Sequence, residues 1–119
     1  MGYDVHITRA DHWFENQGQE IQAQEWLAIV TDDPELIPSP ENGPYFVIWR
    51  GATQYPETWF DWSDGNIDTK FPDKATLRKM WHIANLLGAR IQGDDGEIYD
   101  ETTIEDFDDS YYFTGLGAR

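Results

Sequence analysis

The sequence predicts an α+β fold: a mostly antiparallel sheet of about five strands with two helices packed on one face. Segments that alternate between apolar and polar residues are typical of strands, and most of them follow one another without an intervening helix. The two segments with helical periodicity are separated by this run of strands, as in a split βαβ arrangement. We assign residues 1–99 to a single domain and residues 100–119 to an acidic, aromatic C-terminal extension.

The first half of the chain is predicted to contain a strand, a helix and a second strand. Residues 3–8 alternate in polarity, which indicates a half-buried strand whose polar side chains, His6 among them, face solvent. Residues 21–31 have the spacing of a short helix, and residues 34–44, with four prolines, are expected to be an exposed connector. Residues 45–49 are almost continuously apolar and predict a central strand. The apolar side of the first helix is expected to be Trp26, Leu27, Ile29 and Val30.

A hairpin is predicted at Asp64-Gly65, because this pair lies between two alternating segments. A two-residue type I′ turn needs positive φ at both central positions, and Asp-Gly tolerates that conformation. The aromatic residues of the hairpin and of the neighbouring elements are numerous enough to fill the layer between helices and sheet. Those expected in this layer are Trp26, Trp49, Phe60 or Trp59, and Trp81.

A longer helix and a further strand complete the predicted domain. Asp73 can cap the start of a helix over residues 73–87, and Gly88 can end it in the left-handed conformation. A strand around Ile91 leads through an acidic turn to residues 97–99, which can return as a short strand. The buried face of the helix is expected to consist of Leu77, Met80, Trp81, Ala84 and Leu87.

The charge balance is the strongest compositional signal: 8 basic and 23 acidic side chains give a net charge of −15. Such a chain is a poor ligand for nucleic acid or an anionic membrane, which require clustered Lys and Arg. Residues 94–109 contain nine acids and no base. An acidic surface of this kind attracts a basic protein partner. Five of the eight bases lie on or beside the second predicted helix: Lys70, Lys74, Arg78, Lys79 and Arg90.

Several kinds of chemistry leave no signature in the sequence. There is no cysteine, which excludes disulfides and thiol catalysis and agrees with a cytoplasmic protein. No signal peptide or apolar run of membrane-spanning length is visible. Phosphate-loop and nucleophile-elbow motifs are absent, and His6, His12 and His82 lack zinc-ligand spacing. The sequence therefore predicts no catalytic residue, no cofactor and no metal ligand.

The candidate partner-binding residues are a tryptophan of the hairpin and the carboxylates at the acidic turns. Alternation puts Phe60 and Trp62 on one face of their strand and Trp59 on the other, so one of these tryptophans faces away from the core. A tryptophan surrounded by carboxylates is typical of a hot spot for a Lys- or Arg-rich partner. The residues predicted to bind the partner are Trp59, Asp61, Asp64, Asp94, Asp95 and Glu97.

Other functions remain open from the residues alone. His6 and Asp4 share one face of the first strand, so a small enzyme or ligand-binding domain could use a cleft there. The two acidic turns could bind a divalent cation, although neither matches the ligand spacing of a helix–loop–helix calcium site. The acidic surface could instead mimic DNA phosphates. The extension, with its aromatic run at residues 111–113, either docks on the domain or stays mobile.

Residues 1–99 resemble a group of small bacterial proteins without an established activity. The matching segments are YDVHITRA at residues 3–10, FDWSDGNI at residues 60–67 and LGARIQGDDGEIY at residues 87–99. This resemblance implies no catalytic residue. In its size and acidity the chain also resembles the immunity proteins of bacterial toxin systems. That resemblance implies a non-catalytic inhibitor that neutralises a basic toxin or a nucleic-acid-acting partner.

Overall fold

The computed structural model describes residues 3–51, 53 and 57–108, which form one antiparallel sheet with helices on one face. The strands are β1 (Asp4–Thr8), β2 (Leu36–Pro38), β3 (Phe46–Trp49), β4 (Thr58–Ser63), β5 (Asn66–Lys70), β6 (Arg90–Gly93) and β7 (Ile98–Tyr99). The helices are α1 (Ala23–Asp32), α2 (Lys74–Leu87) and α3 (Glu101–Asp106). The strand order across the sheet is β2-β3-β4-β5-β1-β6-β7, and every neighbouring pair is antiparallel.

The α+β class and the antiparallel sheet are confirmed, but the predicted number of about five strands is wrong, because the sheet has seven. The unpredicted strand is β2, which lies inside the proline-rich segment expected to be an exposed connector. Leu36 of β2 is only 2% exposed and belongs to the hydrophobic core. Pro38 is tolerated because β2 is an edge strand, where a missing N–H costs little.

The part of the C-terminal extension that is described adds a third helix, α3. Its Ile104 is 2% exposed and joins the core, and Arg78 of α2 makes two hydrogen bonds of 2.9 Å to Glu105. Residues 100–108 therefore dock on the domain. The aromatic run at residues 111–113 lies outside the described residues.

The helices and the sheet enclose one hydrophobic core. Trp26, Trp49 and Phe60 are buried in it as expected, and the rings of Trp26 and Phe60 meet edge to face at 6.5 Å. One predicted position is wrong, because Leu27 of α1 is 41% exposed. Trp81 of α2 is partly buried and packs against the core. The buried residues of α2 are Thr76, Leu77, Met80, Ile83, Ala84 and Leu87.

The local turn and cap signals are confirmed. Asp64 and Gly65 have φ of 52° and 87°, so both central residues of the hairpin are left-handed as a type I′ turn requires. The Asp73 carboxylate accepts a hydrogen bond from the Thr76 N–H and caps α2. Gly88 ends the helix with φ of 61°.

The opposite face of the sheet carries no helix of the described chain, and we call it the helix-free face. Trp59, Asp61, Asp68 and His6 point to this side, because each is flanked along its strand by a residue of the hydrophobic core. The segment of residues 9–20, between β1 and α1, covers His6 and Gln92 on this face through Trp13. None of the described helices combines the length and the hydropathy that crossing a membrane demands.

Candidate functional site

A row of polar side chains crosses the helix-free face at one level of the sheet. The registers pair Asp61 of β4 with Asp68 of β5, Asp68 with His6 of β1, and His6 with Gln92 of β6. Cross-strand partners in antiparallel sheets have Cβ atoms about 4.5–5.5 Å apart, so these four side chains are neighbours. We call them the polar row.

His6 is the centre of the polar row and is only 3% exposed. Its Nδ1 lies 2.7 Å from Asp68 Oδ1, and its Nε2 lies 2.9 Å from Asp94 Oδ1. The expectation that His6 faces solvent is wrong, because Trp13 stacks on its ring with 3.9 Å between centroids and 13° between planes. Alternation placed His6 correctly on the polar side of β1, but alternation does not reveal that another segment covers that side.

Trp13 is held over His6 by hydrogen bonds to three parts of the sheet. Its backbone N–H donates to Gln92 Oε1 at 2.6 Å, and its indole N–H donates to the Asp94 carbonyl at 3.3 Å. Its own carbonyl accepts from Asn66 Nδ2 at 2.8 Å. The segment of residues 9–20 is therefore fixed to β5, β6 and the turn after β6, and it seals the imidazole from water.

The pKa of His6 is raised although burial alone would lower it, because hydrogen bonds and attraction to Asp68 and Asp94 favour the charged ring. The pKa of Asp94 is lowered: burial would raise it, but the Asp4 N–H and His6 donate hydrogen bonds to its carboxylate. Burial raises the pKa of Asp68 against the opposing effect of His6. We infer that His6 is an imidazolium that donates to both carboxylates, since a neutral ring has only one N–H.

This geometry leaves His6 without a free ring nitrogen. A general base needs an unprotonated nitrogen within reach of substrate, and a metal ligand needs a lone pair. Asp4 shares the face with His6 as expected, but its carboxylate binds Lys70 Nζ at 2.8 Å. Among the described residues, no group of three or more His, Asp or Glu side chains is placed to hold a metal ion. The polar row is therefore an ion-paired network, and its arrangement does not favour acid–base chemistry at His6.

The six predicted partner-binding residues occupy two ends of the sheet. Trp59 and Asp61 lie on the helix-free face, and Asp95 and Glu97 are exposed in the turn after β6, while Asp94 is half-buried against His6. β5 and β6 are both antiparallel to β1 and hence run in the same direction. The turn before β5 and the turn after β6 therefore lie at opposite ends of the sheet, so Asp64 is remote from Asp94, Asp95 and Glu97.

A small apolar surface lies beside Asp61 on the helix-free face. The rings of Phe46 and Trp59 stack with 5.2 Å between centroids and 22° between planes. Trp59 of β4 is the cross-strand partner of Ile48 of β3, and Ile48 is in turn the partner of Ile37 of β2. Ile37 is 42% exposed. We call Ile37, Phe46, Ile48 and Trp59 the Trp59 patch.

A cleft of about 700 Å³ lies where residues 13–22 contact the β4–β5 hairpin. Its walls include Trp13, Trp62 and Asp68, and its rim carries the carboxylates of Glu20 and Asp64. His6 and Asp4 do not line this cleft. The cleft therefore lies beside the predicted ligand site near His6 and Asp4, and Asp68 is the residue that borders both.

Residue-level reasoning missed Asp68, Trp13 and the structural role of Asp94. The pairing of Asp61 with Asp68 could have been predicted from the sequence, because a two-residue turn at Asp64-Gly65 sets the register that places these residues opposite each other. Trp13 and Asp94 reach His6 across 7 and 88 positions of the chain, from irregular segments whose paths no local pattern specifies.

No protein-family model matches the chain, and neither the curated proteins nor the solved structures contain a significant match.

Proposed function

We propose that this protein is a non-catalytic, acidic binding module that neutralises a basic protein partner, in the manner of an immunity or inhibitor protein. The partner is a toxin domain or a nucleic-acid-acting protein, and the encounter takes place in the cytoplasm. The observation that carries the proposal is the position of a stacked aromatic patch beside the Asp61 carboxylate, on a sheet face that no described helix covers.

The ion pairs within the chain support this proposal. Most of the described basic side chains form ion pairs with acids of the same chain, which leaves a surplus of acids facing solvent. These pairs are Arg9–Glu25, Lys70–Asp4, Arg78–Glu105, Lys79 with Asp33 and Glu35, and Arg90–Asp11. The remaining negative field steers a cationic partner and repels nucleic acid.

The test compares two charge-reversal variants with equal net charge. Asp95→Lys with Glu97→Lys changes the exposed turn after β6, and Asp32→Lys with Glu101→Lys changes exposed acids at the ends of helices. Each protein is used to capture partners from its native host, with neighbouring genes co-expressed, at low and moderate salt. We expect one stoichiometric basic partner that is lost as salt rises. The first variant should lose it and the second should keep it.

Equal loss in both variants would show that capture depends on net charge alone and would contradict a specific acidic surface. Competition by excess duplex DNA separates the DNA-mimic form of the proposal from the others. If duplex DNA displaces the protein from its partner, the two occupy the same cationic site on that partner.

A second candidate function is the binding of a small cationic ligand, and the cleft beside Asp68 is the observation that favours it. Aromatic walls and carboxylates suit an organic ammonium or guanidinium group. Absence of a protein partner at both salt concentrations, together with shifts of the Trp13 and Trp62 indole NMR signals on titration with such cations, would favour this function.

A further inference from the structure

Among the described carboxylates of the helix-free face, Asp61 is the one whose negative charge is least compensated by neighbouring cations or hydrogen-bond donors. It is half-buried, and no hydrogen bond to it is found among the described residues. Burial first and the charge of Asp68 second raise its pKa. The cations nearby are already bound: protonated His6 by Asp68 and Asp94, and Lys70 by Asp4.

The Trp59 patch borders this carboxylate on two sides. Phe46 is the cross-strand partner of Asp61, and Trp59 lies two residues earlier on the same face of β4. The two rings stack on each other, so an aromatic surface lies within one strand spacing of the carboxylate. Ile48 and Ile37 continue the apolar surface to the edge strand β2.

We propose that the Trp59 patch and Asp61 form the docking site for an arginine side chain presented by an extended basic segment of the partner. This inference rests on the proposed function and specifies the chemistry of its contact. The guanidinium donates two parallel hydrogen bonds to the Asp61 carboxylate and lies against the Phe46–Trp59 pair, while apolar neighbours in the segment cover Ile48 and Ile37.

Arginine fits this site better than lysine for two physical reasons. Its planar fork matches a carboxylate with two donors, and its weakly hydrated plane stacks on aromatic rings. A lysine ammonium is compact and strongly hydrated, so it gains less from the aromatic surface. A second copy of this chain is a poor occupant, because two molecules of net charge −15 repel each other.

The experiment is an NMR titration of the isotope-labelled full chain with a tetra-arginine peptide at low salt. Tetra-lysine and tetra-citrulline, a neutral analogue of the arginine peptide, are the matched probes. We expect shifts centred on Trp59, Asp61 and the neighbouring amides of β3, with the lysine peptide binding at least about threefold more weakly and the citrulline peptide not binding.

Asp61→Asn is the informative variant and Asp64→Asn is its control. Both variants remove one negative charge and keep the shape of the side chain. Asp64 is exposed in the turn after β4, away from the Trp59 patch. Asp61→Asn also removes the repulsion between Asp61 and Asp68. We expect Asp61→Asn to weaken tetra-arginine binding at least about fivefold and Asp64→Asn to weaken it less than about twofold.

Three results of the titration would overturn the inference. Equal weakening by the two variants would mean that the peptide senses net charge only. Equal affinity for tetra-lysine would remove the arginine assignment. Concentration-dependent changes of the same face without peptide would assign it to a second copy. Capture of a protein partner that both variants weaken equally would refute this docking site while the proposed function stands. Site-specific arginine binding with no protein partner would refute the proposed function, while the arginine site at Asp61 would stand.

Discussion

At the scale of single residues, His6 is where burial and charge oppose each other most directly. The ring is 3% exposed, yet both nitrogens face carboxylates. Burial favours the neutral ring, and the two carboxylates favour the charged ring; the pKa is raised, so the carboxylates dominate. The buried imidazolium links β1, β5 and the turn after β6, and we regard it as a structural tie of the helix-free face.

The charged state of His6 should make stability depend on pH. Because its folded pKa is raised, its contribution is complete below the ordinary value of about 6.5 and is lost as pH rises through the folded value. We therefore expect the free energy of unfolding to fall as the pH rises above about 6.5 and through the raised pKa of His6. His6→Gln should flatten this slope and cost about 1.5–3 kcal/mol at the acidic end. Chemical denaturation across this pH range measures both effects.

His82→Gln is the matched control, because His82 is exposed on α2. It should keep the slope of the wild-type protein. A slope that survives His6→Gln unchanged would refute the assignment of the titrating group to His6.

Gly93 illustrates a second effect at the residue scale, the close approach of the ends of two side chains to the backbone. A Cβ atom at this position would lie 2.3 Å from Tyr3 Oη and 2.5 Å from Glu97 Cδ. Gly93→Ala should therefore destabilise the fold by about 1–3 kcal/mol, through overpacking. Thermal unfolding followed by circular dichroism measures the loss.

Tyr3→Phe provides the internal test of this clash. Tyr3 Oη is buried without a hydrogen-bond partner among the described residues, so its removal alone should change stability by less than about 1 kcal/mol. In the double variant part of the loss caused by Gly93→Ala should be recovered. If the two effects simply add, the clash with Tyr3 is not the cause.

At the scale of elements, the two helix caps differ in burial although their chemistry is alike. Asp73 caps α2 and is 0% exposed; its carboxylate accepts from the Thr76 N–H at 2.8 Å and from the Thr53 hydroxyl at 3.0 Å. Asp100 caps α3 and is exposed, accepting from the Thr103 N–H at 2.9 Å.

We expect Asp73→Ala to lower the free energy of unfolding by about 2–3 kcal/mol, because it removes a cap and leaves buried donors unsatisfied. Asp100→Ala should cost clearly less, since water replaces the lost acceptor. Urea denaturation of the two variants compares them directly. Equal losses would show that burial of the cap has no bearing on its contribution.

Element positions were predictable where a local signal existed. The type I′ turn, the Asp73 cap and the Gly88 stop depend on backbone preferences of single residues, and each is found where expected. β2 was not predictable, because its residues lie among prolines and become a strand only by pairing with β3. Leu27 was misplaced because periodicity indicates an apolar side of the helix but not which part of that side meets the core.

At the scale of the whole molecule, the excess of 15 negative charges dominates. Self-repulsion of the folded state is long-range and is screened by salt, whose Debye length falls from about 30 Å at 0.01 M to about 8 Å at 0.15 M. We expect Tm to rise by about 2–5 °C over this range of sodium chloride. Differential scanning calorimetry at neutral pH measures the change.

A variant with Asp64, Asp95 and Glu97 all changed to the corresponding amides should show a smaller rise, because it removes three of the exposed negative charges. A fall of Tm with salt would contradict this expectation. It would mean that internal ion pairs, such as those of Lys79 with Asp33 and Glu35, outweigh the repulsion.

The sequence by itself determined the α+β class, the hairpin, the limits of α2 and the sign of the molecular field, because these depend on local backbone preferences and on counts of charge. Only the tertiary structure decided that Asp61, Asp68 and His6 form one row, that Asp94 closes it and that Trp13 seals it. Those contacts join residues far apart in the chain, and their formation depends on how the whole sheet pairs and on which segment covers its second face.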